Sequence, residues 1–267
     1  MKVSVIIPAK NAESTIKRCL MHVKNQIIRP YEVIVVDGGS TDKTREIASS
    51  FNVKVVQEPP HRGNIPAIGR NYGARMAKGD IYAFLDPDCF PEDKWLYNVI
   101  KFLSRPEIGI YSVIVRDGKG TLTSRAWHYL QMQIKYDFAP TRCMAVKKEV
   151  FNEVGGFDEK LPAGEDNDFS YRVKERGYKI IIDKDTRVFH DDDHASSLKG
   201  IVHLIRWYRQ GDLLMRKKWP KRFKKFKTTN PLIRDHILPT IKSLKDEGPE
   251  VFILCVIIKL LSIIKHL

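Results

Sequence analysis

Three stretches of the chain are apolar almost without interruption, and each stops at a turn-forming or acidic residue. Residues 3–7 run into Pro8, residues 31–36 run into Asp37, and residues 81–85 run into Asp86. Strands covered by helices on both faces read this way. Between them the period changes. Ile16, Leu20 and Val23 recur at helical spacing within 13–24, and helices are predicted over 44–50 and 69–76. Ser40, Thr41 and Asp42 offer caps for the second of these helices. A short strand is predicted over 53–56. Strand–helix alternation with short connections predicts an α/β chain with a doubly wound, mostly parallel sheet, Rossmann-like in its first half. Ligands of such sheets bind beyond the carboxyl ends of the strands. Pro8, Ala9, Asp37, Gly38 and the Asp86-Pro87-Asp88 step all stand at such ends.

Further on, a helix is predicted over 95–103, a strand over 108–116 and an aromatic-rich helix or lid over 123–138. Strands follow over 143–146, 178–183 and 188–190. Gly164-Glu165-Asp166-Asn167-Asp168 opens a helix that Gly177 stops. An amphipathic helix is predicted over 201–214, with Arg206 and Arg209 on its polar side. There is no internal repeat.

Charge divides the chain. Residues 1–199 hold 31 Lys and Arg against 27 Asp and Glu, whereas residues 200–267 hold 15 against 5. The balances are +4 and +10, so the basic excess belongs to the tail. A basic segment faces phosphates, of lipid headgroups or of nucleic acid. Cys19, Cys89, Cys143 and Cys255 are widely spaced, which excludes a CxxC metal ribbon and fits a reducing compartment.

Asp86 and Asp88 are separated by one residue and leave an extended chain on the same side. Two carboxylates there can hold a divalent cation, and the cation a diphosphate. A plain Asp-Pro-Asp turn has the same spacing. Asp37 can accept a hydrogen bond from a base or ribose, and Gly38 and Gly39 let a nucleotide approach the backbone. Arg70 and Arg75 can neutralise a diphosphate or form a solvated face. Glu165 and Asp166 stand at a helix N-terminus, which favours carboxylates. The run His190-Asp191-Asp192-Asp193-His194 offers metal ligands or an acidic loop.

Taken in order, six pieces resemble the family 2 glycosyltransferases with the GT-A fold. They are Val5-Ile6-Ile7-Pro8-Ala9, Val36-Asp37-Gly38-Gly39-Ser40-Thr41-Asp42, Arg70-Asn71-Tyr72-Gly73, Asp86-Pro87-Asp88, Gly155-Gly156-Phe157-Asp158 and Glu165-Asp166. The resemblance covers roughly residues 3 to 190. It implies an inverting, metal-dependent hexosyltransferase that uses a UDP- or GDP-sugar and a hydroxyl or phosphate acceptor, in glycan or cell-envelope synthesis. It implies Asp166 as the catalytic base beside Glu165. Pro8, Ala9, Asn11, Asp37, Gly38, Arg70 and Asp86 would bind the nucleotide sugar. Asp88, Asp86 and His190 would hold Mg²⁺ or Mn²⁺. One departure stands out: many members carry a second Asp where this chain has Gly38.

In the tail, 216–227 interleaves cations with Trp219, Phe223 and Phe226. That mixture suits a membrane interface. No recognised RNA-binding signature accompanies it, so nucleic acid is not expected as a partner. Residues 251–264 are almost wholly apolar. As a helix they span about 21 Å, short of the roughly 30 Å hydrocarbon layer. They suit an in-plane anchor, or packing on the core or on a second copy in a homodimer. The expected organisation is a catalytic domain over 1–200 and a helical, membrane-associating region over 201–267. A lipid-linked acceptor and a place on the inner face of the cell membrane follow by association. Two further readings keep the same site: a nucleotidyltransferase that makes a nucleotide sugar, and a non-catalytic nucleotide-sugar-binding protein.

Overall fold

The computed structural model describes residues 1–61, 65–132, 137–224, 243 and 246–263. The chain divides into two compact units, Met1–Arg116 with Tyr136–His190, and Asp117–Lys135 with Asp191–Leu267.

The first unit is built on a sheet. Its strands are β1 (Val3–Ala9), β2 (Glu32–Asp37), β3 (Lys54–Gln57), β4 (Ile81–Leu85), β5 (Cys89–Pro91) and β6 (Ile108–Val113). After β7 (Arg116–Asp117), at the boundary of the units, come β8 (Cys143–Lys147), β9 (Lys179–Asp183) and β10 (Val188–His190). Seven of them form one sheet in the order β3-β2-β1-β4-β8-β6-β9. The apolar runs read from the sequence are buried because side chains alternate between two covered faces. Val5, Ile7, Val35, Ala83 and Leu85 pack on one side with α1 (Ile16–Lys24) and α4 (Trp95–Leu103). Ile6, Ile34, Val36, Tyr82 and Phe84 pack on the other. There they meet α3 (Pro66–Met76), α6 (Lys148–Glu153) and α7 (Glu165–Glu175). Gly73 lets α3 sit low on the sheet, since a Cβ there would overlap Ile6 Cγ2 and stand 3.0 Å from Val36 Cγ2. The helix α2 (Thr44–Ser49) has Lys43 at its N-cap rather than one of the expected residues, and Asp42 braces the turn before it, its Oδ1 accepting the Thr44 N–H at 3.0 Å.

One detail completes the sequence reading and one differs from it. β8 runs antiparallel to both β4 and β6, so the sheet is parallel except at that strand. The strand expected over 108–116 ends at Val113.

The second unit is helical among its described residues. It contains α5 (Leu122–Met132), a short 3₁₀ turn (His194–Ser196), α8 (Leu198–Lys218), α9 (Pro220–Lys224) and α10 (Pro249–Ile263). Ala126, Trp127, Leu130, Ile201, Leu204, Val251, Cys255 and Ile258 form its apolar core. Arg125 donates to Glu247 Oε2 at 2.7 Å and Tyr129 to Asp246 Oδ2 at 2.9 Å. This unit takes in 117–135 and 191–199, which a boundary at residue 200 assigns to the catalytic part. No helix among the described residues is long and apolar enough to cross a membrane. Lys225, Phe226 and Lys227 of the basic run, and Ile264 of the apolar one, lie outside the described residues.

Candidate functional site

Ala9 and Asp37 are register partners at the carboxyl ends of β1 and β2. The Gly38 N–H donates to Ala9 O at 2.8 Å, locking the two ends together. Pro8 is half-buried beside them. Asn11 adopts a left-handed φ of 51°. Its N–H donates to Ser40 Oγ at 3.0 Å, and its Oδ1 accepts from the Thr41 N–H at 2.9 Å. The loops after β1 and β2 are therefore braced on each other. Asp37 is 1% exposed, and its Oδ1 accepts from the Ser40 N–H at 3.1 Å. Its Oδ2 is buried without a hydrogen-bond partner, with Arg45 Nε 3.7 Å away. Buried acceptors are normally paired, so an orphan at a strand end marks a place for a ligand donor.

The carboxyl end of β4 carries the next group. Arg70, buried on α3, donates from Nη2 to Asp86 Oδ1 and from Nη1 to Glu165 Oε1, each at 2.8 Å. One guanidinium thus ties together the end of β4 and the start of α7. The fork geometry of arginine suits this and a lysine's single point charge does not. A solvated face is the wrong description of Arg70. It fits Arg75, which is exposed and comes only within 3.9 Å of Glu159 Oε1.

Asp88 lies two residues beyond Asp86. Its Oδ2 stands 3.3 Å from His190 Nε2, and its Oδ1 is buried without a hydrogen-bond partner. Antiparallel pairing of β5 with β10 sets His190 opposite Cys89. One ligand atom each from Asp88, Cys89 and His190 lie within 4.8 Å of one another. The donor set fits a divalent cation: a carboxylate oxygen lacking a partner, an imidazole nitrogen and a thiol at one point. Burial, then Asp88 and Asp86, push the Cys89 thiol well above its ordinary range. Of the three, Asp88 supplies the oxygen donor that hard cations favour. Asp86, expected as a third ligand, is turned to Arg70. Of the acidic run after His190, Asp192 Oδ1 accepts from His194 N and Ala195 N, and Asp193 pairs with Lys119 Nζ at 2.7 Å.

Gly164, at φ 80°, turns the chain into α7 and presents Glu165 and Asp166 on its first turn. Asp166 is half-buried and its Oδ1 accepts from the Asn167 N–H at 2.8 Å. Burial is the main force raising both carboxyls. Glu165 is pushed up to about 7 by burial and by Asp166, against the pull of Arg70. Asp166 is raised by burial, offset in part by the Asn167 N–H and Arg70. The predicted residues therefore fall into two places. Pro8, Ala9, Asn11, Asp37 and Gly38 form one, and Arg70, Asp86, Asp88, Glu165, Asp166 and His190 the other, joined by contact or by adjacency in the chain.

Sequence reading missed Cys89 as a possible ligand and Asn71 as a brace. Asn71 donates to Phe157 O and accepts from Phe157 N, both at 2.9 Å, pinning the Gly155-Gly156 turn to α3. No local signal marks either.

A search against family models matches residues 4–157 to glycosyl transferase family 2. The chain belongs to that family. Among curated relatives, the family 2 chain is 33% identical over 198 residues to glycosyltransferase AglE of Haloferax volcanii, covering 68% of this chain and 64% of that one. It is 25% identical over 223 residues to the pre-mycofactocin glycosyltransferase of Mycobacterium tuberculosis, covering 77% of this chain and 46% of that one. The chain thus spans about half to two thirds of the length of these relatives. Its fold is that of the mannosyltransferase PcManGT from Pyrobaculum calidifontis, solved in complex with GDP-Man and Mn²⁺. The TM-score is 0.61 at 21% identity, covering 96% of this chain and 73% of that one. It is also that of S. aureus TarS 1–349 in complex with UDP-GlcNAc, with a TM-score of 0.59 at 21% identity, covering 96% and 82%.

Proposed function

We propose that this chain transfers a sugar from a nucleotide-sugar donor to an acceptor hydroxyl or phosphate by a single inverting displacement. The observation that carries the reading is the Arg70 bridge. It brings the carboxyl end of β4, where a donor diphosphate belongs, to the first turn of α7, where a base belongs. Asp37, with Pro8, Ala9, Asn11 and Gly38, receives the nucleoside. Asp88 and His190 would hold Mg²⁺ or Mn²⁺, with Asp86 beside them. When bound, the cation offsets the negative charge on the departing diphosphate.

Asp166 accepts the acceptor's proton as its oxygen attacks the anomeric carbon. One displacement needs one base, unlike a glycosidase with two carboxylates flanking the bond. Burial raises Asp166 and so strengthens it as a base, while Arg70 keeps Glu165 and Asp86 from crowding it with unbalanced charge. Residues 1–200 hold this machinery.

The helical region supports binding at a membrane surface. Leu213 and Leu214 are exposed one turn before Arg216, Lys217 and Lys218, and Ile253 and Leu260 are exposed on α10. Cations beside outward apolar groups suit a headgroup layer. A lipid-linked acceptor would then be met at that surface.

The deciding experiment incubates the protein with UDP- and GDP-sugars, Mn²⁺ or Mg²⁺ and candidate acceptors, and follows nucleoside diphosphate release. A parallel mixture supplies a sugar 1-phosphate and nucleoside triphosphates. Inorganic diphosphate release in the second mixture alone would replace the reading with nucleotidyl transfer.

A further inference from the structure

Where many members of the family carry a second Asp after the strand, this chain has Gly38. The space that a side chain would fill there is occupied from elsewhere. Glu58 follows β3, and its backbone N–H donates to Asp37 O at 2.9 Å, which fixes it beside the end of β2. Its side chain turns inward and is 10% exposed. A Cβ at Gly38 would stand 3.2 Å from Glu58 Oε2, and so would a Cβ at Gly69 on α3. Pro8 Cβ lies 3.2 Å from that same Gly69 position. The carboxylate therefore lies among Pro8, Gly38, Gly69 and the Lys10 stem, at the strand ends where Asp37 Oδ2 is buried without a hydrogen-bond partner. Its other oxygen is held by His61, with Nε2 2.6 Å from Oε1. A Cβ at either glycine would press on it.

We propose that Glu58 is the second carboxylate of the nucleobase pocket, and that Asp37 and Glu58 together select a guanine nucleotide over a uracil nucleotide. The inference rests on the reading that the donor's base sits at Asp37. A carboxylate is an acceptor only. Guanine offers two adjacent donors on one edge, the N1–H and the 2-amino group, one for each acid. Uracil offers a single N3–H flanked by two carbonyl oxygens. A second buried carboxylate facing such an oxygen is repelled and left without a partner, and this is how sites reject a wrong ligand. Hypoxanthine keeps the N1–H and lacks the 2-amino group, so it isolates the contribution of the second acid.

The test titrates the full chain with GDP, IDP and UDP in the presence of Mn²⁺, by calorimetry, for the wild type and Glu58→Gln. The wild type should bind GDP at least about tenfold tighter than IDP or UDP, the size of one charge-assisted hydrogen bond. Glu58→Gln should lose about tenfold on GDP and little on UDP. Wild-type affinity for UDP equal to or above that for GDP overturns the inference and leaves the nucleotide-sugar reading standing. Equal losses on all three nucleotides in a folded variant also overturn it. Failure of the wild type to bind any of them overturns the reading of a UDP- or GDP-sugar donor and this inference with it. If Glu58→Gln does not fold, as read from its circular dichroism, the wild-type order of GDP, IDP and UDP decides alone.

Discussion

Arg70 Nη1 donates to Glu165 Oε1 at 2.8 Å across 95 residues of sequence, and both side chains are 5% exposed. Taking either partner away leaves a charge in a place water does not reach. Arg70→Ala should therefore destabilise the protein by about 3 kcal/mol, in the range for breaking a buried ion pair. Urea unfolding at neutral pH measures this. A loss below about 1 kcal/mol would mean that the two carboxylates find other partners. Arg70→Lys should recover only part, because one ammonium cannot reach both acids in the fork geometry.

Stability should depend on pH through Glu165. Its folded pKa is raised from an ordinary 4.5 to about 7, with burial as the first cause. The folded state thus holds that proton more tightly than the unfolded chain. The contribution is fully present below about pH 4.5 and is lost as pH rises through about 7. Melting temperature of the wild type, taken with a chelator present, should fall relative to Glu165→Gln between pH 5 and 7.5. Parallel curves for the two proteins would show that Arg70 keeps Glu165 ionised throughout.

Asp166→Asn should cut turnover by about 10² to 10⁴, the usual worth of a positioned base, and leave donor affinity nearly unchanged. Steady-state kinetics together with nucleotide titration separate the two effects. Undiminished turnover would take the base assignment away from Asp166.

Asp88→Asn and His190→Ala should each weaken Mn²⁺ binding. In the wild type, Mn²⁺ should raise the melting temperature, since a ligand of the native state stabilises it by mass action. Either variant should lose most of that rise. If His190→Ala keeps it in full, the imidazole is only a strand-end neighbour of Asp88.

The packing of α3 gives a test unconnected with chemistry. Gly73→Ala places a methyl on Ile6 Cγ2 and close to Val36 Cγ2. Overpacking of this kind costs about 1–3 kcal/mol, readable by urea unfolding. A neutral substitution would show that the helix shifts outward freely.

How much of this could be read in advance differs from element to element, for physical reasons. β1, β2 and β4 were legible because strands buried on both faces leave continuous apolar runs, and their polar ends located Asp37, Asp86 and Asp88. The direction of β8 was not, since Cys143 to Val146 is equally apolar read either way. Arg70 was read as a neutraliser of a diphosphate and Asn71 only as a member of a motif. Their partners lie 86 and 95 residues away for Phe157 and Glu165, and no local periodicity records such a pairing. Glu58 was passed over because a Gln-Glu-Pro-Pro step reads as an ordinary strand exit. Only the close approach of its carboxylate to Gly38 and Gly69 shows what it faces.

The reversed direction of β8 has a consequence for how this scaffold varies. A strand entered from the edge where its neighbours finish brings its incoming segment to that edge, and there Arg142 O accepts from the Asp86 N–H at 3.0 Å. The polypeptide that enters β8 is thus anchored next to Asp86 by a backbone carbonyl, a contact that does not depend on the side chain at residue 142. That side chain can therefore be exchanged without shifting the register of β4, so the surroundings of Asp86 can vary while the strand that carries it stays put.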